Sequence, residues 1–214
     1  TGSDLVAYSG FSATDYLEQP YNSDLNFGTG DFCIMGWVKL PQDFSRHPWF
    51  ITDKKGTSFG DNGRIGLKYN GSRWEFTLTG GILTYTTSNV GQFQLITMLR
   101  RSGTVESYIN GELVASGSNS SALGATNTDS VLVVGSAYYN GNLLSGPTGL
   151  ALFRISATAP TAEQIAKIYE DEKVLFTEGS QATLYGSSDA VTALAHDDVT
   201  DLLHVGTSAG RSVF

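Results

Sequence analysis

The dipeptide Asn-Gly occurs four times in this chain, at 62–63, 70–71, 110–111 and 140–141, beside short runs in which apolar and polar residues alternate. That combination constrains the fold more than any other feature. Asn and Gly accept the positive φ angles of a two-residue type I′ turn, so Asn-Gly between alternating runs is a strong local hairpin signal. "VESYINGELVAS" is the clearest case: Val105, Ser107 and Ile109 alternate into the turn, and Leu113 and Ala115 alternate out of it. Strand candidates with turn signals between them follow at 31–39, 48–53, 64–70, 73–79, 82–87, 91–100, 104–109, 112–117, 130–137 and 149–156. This spacing suits an antiparallel sandwich.

Composition points the same way. Charged residues make up 16%, glycines number 25 and aromatics reach 11%, which favours short strands and tight turns over charged surface helices. At 214 residues the expectation is one all-β domain plus an appendage. One segment departs from the β pattern. In "TAPTAEQIAKIYEDEK" Thr161 is placed to cap a helix, Glu163 and Gln164 fall in its first turn, and Ile165, Ile168 and Tyr169 share one face. From Val174 onward the texture turns to Gly/Ser-rich alternation, so a boundary is placed near 175, giving a domain over 1–175 and a C-terminal β-hairpin tail over 176–214.

The net charge of −8 with 13 scattered cations offers no basic stripe for phosphates, which argues against nucleic acid as a partner. No apolar run approaches 18 residues, so no membrane insertion is expected. The chain lacks an initiator Met and a leader pattern, and it stops at "GRSVF" in mid-alternation; both suggest a piece of a longer parent. Its single cysteine, Cys33, lies inside "DFCIMGWVKL" and reads as a buried, inert thiol.

Four stretches occur in an order that resembles a known family: "YNSDLNFGTGDFCIMGWVKL", "RIGLKYNGSRWEFTLTGG", "VGQFQLITMLRRSGTVESYINGELVASGS" and "GLALFRISATAPTAEQIAKIYE". They resemble the concanavalin A-like superfamily, and most of all its laminin-G-like and pentraxin-like branch, over roughly residues 5–175. The resemblance implies a jelly roll of two antiparallel sheets with one short helix. The tail "DAVTALAHDDVTDLLHVGTSAGRSVF" is similar to one strand-turn-strand phrase of a β-propeller blade, and the whole arrangement resembles bacteriophage tail-fibre and appendage proteins.

The superfamily includes glucanases, whose paired carboxylates alternate along one strand to serve as acid and nucleophile. No such pair occurs here: Glu75 and Glu106 each stand alone and read as solvent-facing strand residues. "SFGDNGRIG" has the Asp-x-Gly of a sialidase repeat without its Ser and aromatic. Gly206, Ser208 and Gly210 match a nucleophile elbow in letters only, because a helix and triad partners would have to follow. No enzyme is expected. The pentraxin resemblance makes Asp61 and Asn62 a Ca²⁺ candidate, but Tyr138 and Tyr139 stand where further acidic ligands would be needed, so an ordinary turn is the better reading and no cofactor is expected. The three histidines lack metal-ligand spacing.

Glycan binding remains. Sugar rings stack on exposed aromatics while amides take their hydroxyls, and such groups gather in expected loops at "RHPWF" (His47, Trp49) and "AYYNGN" (Tyr138, Tyr139, Asn140, Asn142). The alternative is that these rings pack in the core or cover a sheet edge; Trp37 and Trp74, on strands, are expected in the core. The sequence therefore leads to a non-enzymatic, lectin-like module of a phage tail or virion appendage. Its expected partners are a cell-surface glycan or other virion proteins, with the tail joining copies into a homo-oligomer, a trimer being favoured. The alternative is a secreted bacterial carbohydrate-binding module.

Overall fold

The computed structural model describes residues 7–12, 14–42, 49–55, 65–79, 81–86, 90–123, 130–139, 142–144, 149–176, 191–200, 202–207 and 210–213, with residues 49, 51–55, 130, 137–139 and 142–144 described by main chain only. The strands are, in chain order, β1 (Tyr8–Ser9), β2 (Leu17–Gln19), β3 (Phe32–Lys39), β4 (Trp49–Lys55), β5 (Ile65–Tyr69), β6 (Arg73–Leu78), β7 (Gly81–Thr86), β8 (Phe93–Arg101), β9 (Thr104–Ile109), β10 (Glu112–Ser118), β11 (Ser130–Val134), β12 (Ala137–Tyr139), β13 (Asn142–Leu144), β14 (Gly149–Ser156), β15 (Val191–Asp197), β16 (Leu202–Thr207) and β17 (Gly210–Val213). One α-helix, α1, spans Ala162–Glu172. The chain divides into two compact units, Thr1–Glu172 and Lys173–Phe214.

The first unit is a jelly-roll sandwich. Its two antiparallel sheets run β1-β14-β3-β8-β9-β10 and β2-β11-β4-β5-β6-β7, with β12 and β13 forming a separate hairpin. Alternation fills the space between the sheets: Phe32, Ile34 and Val38 of β3 and Ile96 and Met98 of β8 meet Phe50, Leu67, Trp74 and Phe76 from the second sheet. Phe32, Phe50, Trp74 and Phe76 are all buried to within 1%, and each contributes about 1.5–3 kcal/mol over an exposed ring.

The hairpin read from "VESYINGELVAS" is present. Asn110 and Gly111 have φ of 52° and 84°, the signs a type I′ turn requires, and Ile109 pairs with Glu112 across it. Asn110 also ties the turn to its neighbour: its N–H donates to Leu95 O at 2.9 Å, and its Oδ1 accepts from Leu95 N at 3.0 Å. Ser102-Gly103, with φ of 49° and 78°, joins β8 to β9 in the same way.

The expected helix forms with a reciprocal cap. Gln164 N–H donates to Thr161 Oγ1 at 3.3 Å and Thr161 N–H donates to Gln164 Oε1 at 2.8 Å. It buries Ile165 completely and covers the outer side of the first sheet. That cover gives Trp37 the burial expected of it, on a different face from Trp74. Trp74 lies between the sheets, whereas Trp37, 2% exposed, is sealed on the opposite face under α1. Its ring stacks on Tyr169 at 5.8 Å and its Nε1 donates to Glu172 Oε2 at 2.7 Å. Cys33 shares that outer face; burial pushes its thiol up to about 12, although Arg101 and Arg154 pull the other way.

Between the sheets sits a buried charge. Arg100 is fully buried and its guanidinium is satisfied by backbone: Nε donates to Gly30 O at 2.8 Å, NH1 to Ser121 O at 2.7 Å, and NH2 to Gly28 O at 2.6 Å and to Gly30 O at 2.7 Å. It also lies over the Phe32 ring at 5.5 Å. Loss of solvation lowers its pKa and Asp31 opposes that shift; the four carbonyl bonds make the burial tolerable.

Two strand expectations are corrected. β1 and β2, of two and three residues, precede residue 31 and are too short to display alternation. The candidate 130–137 divides into β11 and β12, because Gly135 has φ of 81° and the Phe11 ring occupies the place its Cβ would take.

The second unit contains a 3-10 turn, Lys173–Phe176, and an antiparallel sheet ordered β15-β16-β17, two successive hairpins. Val205 is buried, but Val191, Leu194, Leu202, Leu203 and Val213 are exposed. Among the described residues no helix is long and apolar enough to cross a membrane.

Candidate functional site

The place where the expected ligand-binding segments meet is set by topology. β11 pairs antiparallel with β4, Val134 opposite Ile51, and Gly135 N–H donates to Phe50 O at 2.9 Å. The positive φ of Gly135 then redirects the chain, and β12 runs beside β4. Trp49 is the first residue of β4, while Tyr138 and Tyr139 lie on β12, so segments some 90 residues apart in sequence become neighbours. Tyr138, Tyr139 and Asn142 are strand residues and not loop residues, which corrects the sequence reading: Tyr138 pairs with Leu143 and Tyr139 with Asn142. His47, Asn140, Asp61, Asn62 and Ser208 lie outside the described residues.

Beside Trp49 lies a polar group that sequence reasoning missed. Trp49 is opposite Lys68 on β5, and Lys68 is opposite Glu75 on β6. Lys68 Nζ stands 3.1 Å from Glu75 Oε2, while Arg73 NH2 lies 3.0 Å and Asn70 Nδ2 2.5 Å from Glu75 Oε1. Glu75 is thus the hub of a polar cluster and no free solvent-facing carboxylate; its side chain is only 12% exposed. Burial raises its pKa, but the hydrogen bonds from Lys68 and Arg73 outweigh that and hold the carboxyl below its ordinary range. A signal for the cluster lay one residue beyond the Asn-Gly centre: Lys68 and Glu75 stand symmetrically about Gly71-Ser72, the middle of a turn closed by Asn70 N–H donating to Arg73 O at 2.9 Å.

Glu106 is likewise engaged. It accepts from Tyr108 OH at 2.6 Å and lies 3.6 Å from Arg101 NH2. The Tyr108 phenol is pushed up to about 12, first by burial and then by its bond to Glu106. His196 Nδ1 is 3.0 Å from Asp198 Oδ1 in the second unit, where His204 lies on β16. Among the described residues no group of three or more His, Cys, Asp or Glu side chains is arranged to hold a metal.

Chemically, the β4–β5–β6 patch with the β12–β13 hairpin offers cations, an amide and a neutralised carboxylate next to three aromatic positions. Such a set can donate and accept hydrogen bonds toward hydroxyls and anionic groups. Glu75 and Glu106 are both committed to local partners.

Residues 11–166 match the laminin-G family model described as the concanavalin A-like lectin/glucanases superfamily. No curated protein matches the sequence. Solved structures share its fold. The receptor binding domain of botulinum neurotoxin C/D mosaic serotype is similar with a TM-score of 0.56 and 13% identity, over 91% of this chain and 51% of that one. Trypanosoma rangeli sialidase gives 0.60 and 12%, over 82% of this chain and 28% of that one. The carbohydrate-binding module CBM40 of the Ruminococcus gnavus IT-sialidase, bound to α2,3-sialyllactose, gives 0.57 and 11%, over 78% of this chain and all of that one. The chain spans about half of the neurotoxin domain and little more than a quarter of the sialidase.

Proposed function

This chain belongs to the concanavalin A-like lectin/glucanase superfamily, and on that premise we propose that it is a non-enzymatic glycan-binding module. The observation that carries the reading is the convergence of β4, which begins at Trp49, with the Tyr138-Tyr139 hairpin beside the Lys68–Glu75–Arg73 cluster. Cations and an amide next to aromatics suit a glycan bearing an acidic group, the class to which the sialyllactose held by the similar R. gnavus module belongs. The engaged states of Glu75 and Glu106 support binding over hydrolysis, since an acid and a nucleophile need two carboxylates facing one substrate bond. The reading requires no Ca²⁺ or other cofactor.

The finer form of the proposal places the module on a phage tail fibre or other virion appendage, outside the cell, engaging host surface glycans. The propeller-like tail phrase and a second unit that displays apolar residues for other subunits support it. A glycan array tests the first step: the wild type should retain a restricted set of acidic glycans with and without a chelator, and Trp49→Ala and Tyr138→Ala should lose them while staying folded. Retention of no glycan by the folded chain, or unaltered retention by both variants, overturns the proposal.

A further inference from the structure

On the side of the first sheet that faces away from the sandwich core, a cleft of about 700 Å³ opens between α1 and strands β3 and β14. Its volume lies in the range of small-molecule sites, roughly 300–1,000 Å³. Cys33 and Met35 line it from β3, Pro160 from the connecting loop, and Lys167 and Ile168 from α1. Arg154 lines it from β14, opposite Met35 in the sheet register.

A backbone irregularity puts Arg154 there. The pairing of β14 with β3 shifts between Ala151 and Arg154, and Leu152 within the shift has φ of 48°, an uncommon conformation for a residue with a branched side chain. Leu150 faces the core, so without the extra residue strict alternation would turn Arg154 inward as well. The bulge instead sets Arg154 and Ser156 beside Met35 and Cys33.

The guanidinium so placed is only half used. NH2 pairs with Glu172, but NH1 faces the Met35 sulfur at 3.6 Å, a weak acceptor, and meets no oxygen among the described residues. Lys167, 74% exposed, is bound to Asp171 by a surface pair of small worth and is free to turn to another anion. The floor of thiol, thioether and aliphatic carbon suits an alkyl chain, while the polar groups Ser156, Gln164 and Asp171 line the same cleft, Asp171 held by Lys167.

We infer that this cleft is a second binding site, separate from the glycan patch, that takes an amphipathic anion: a medium-chain aliphatic carboxylate with its chain on Cys33, Met35 and Ile168 and its head on Arg154 NH1 and Lys167. Titration calorimetry with decanoate, kept below its micelle-forming concentration, should show saturable binding of one decanoate per chain. Arg154→Gln should weaken it about tenfold or more, the scale of a hydrogen bond to a charged group. Thr158→Trp, at an exposed position on the cleft lining, should abolish it by filling the space while leaving glycan retention unchanged. Decanol, with the same chain and no charge, should bind wild type at least about tenfold more weakly than decanoate. No saturable decanoate binding by the folded wild type overturns the inference, as does undiminished binding in Thr158→Trp or equal affinity for decanol. If Arg154→Gln does not fold, Lys167→Gln carries the charge test, and an unchanged decanoate affinity there overturns the assignment of the head group.

Discussion

Gly103 and Gly111 sit at equivalent places in two type I′ turns, yet a methyl group at each would meet different surroundings. Their φ angles are 78° and 84°, so a side chain at either position is strained by about 1–2 kcal/mol. At Gly103 nothing lies within 4 Å of where the Cβ would be. At Gly111 the Cβ would come 3.1 Å from Ala166 Cα and 3.3 Å from Tyr169 Cβ, atoms of α1 that no rotamer change can move. Overpacking of that kind adds about 1–3 kcal/mol. Gly103→Ala should therefore lose about 1–2 kcal/mol and Gly111→Ala about 2–5 kcal/mol, summing the same strain and overpacking ranges. Urea unfolding followed by circular dichroism measures both, with coincident fluorescence transitions as the check on two-state behaviour. Equal losses would show that α1 does not press on the 110–111 turn, and no loss in either variant would remove the positive-φ turns themselves. Gly111→Val should be worse than Gly111→Ala, because a β-branched residue tolerates positive φ least.

Arg100→Met removes the guanidinium bonds to the carbonyls of Gly28, Gly30 and Ser121, of which Gly28 O keeps the Leu123 N–H, and should lower stability by about 1.5–3 kcal/mol, read from the urea midpoint; a loss below about 0.5 kcal/mol would mean that these loops find water instead. The Glu75 carboxyl is held below its ordinary pKa, so its contribution is complete above the unfolded carboxylate range and fades as pH falls through the depressed folded value. The stability gap between wild type and Glu75→Gln should accordingly narrow on acidification below about pH 4, and a gap independent of pH contradicts the ion-pair account. For the proposed oligomer, light scattering should give a trimer for the full chain and a monomer for a chain ending near residue 175; a monomer in both leaves Val191, Leu194 and Leu203 without subunit partners and overturns that proposal.

A period of two in the sequence tells which residues share a face, but it is silent about what covers each face. Trp37 and Trp74 show the difference. Both were legible as buried strand residues, yet one fills the sandwich and the other is sealed by a helix that arrives 125 residues later in the chain, at Ala162. Turn chemistry was more informative, because Asn110-Gly111 satisfies its own φ requirement locally whatever packs around it. The proposed binding patch lies between these extremes. The Lys68–Glu75 pair could have been read by counting outward from Gly71-Ser72, on which this hairpin is centred, whereas counting from Asn70-Gly71 sets Lys68 opposite Arg73. The approach of Tyr138 and Tyr139 to the strand of Trp49 could not, because it depends on β11 choosing β4 as its neighbour and on Gly135 turning the chain under the Phe11 ring. Strand choice of that kind is decided by the complete sandwich core, so residues of the proposed binding surface, drawn from three separate segments, become visible as one surface only once the fold exists. The same argument explains the β14 cleft: the sequence "GLALFRIS" gives Arg154 the parity of the core-facing Leu150, and only the extra residue at Leu152 reveals that its charge belongs to the other face.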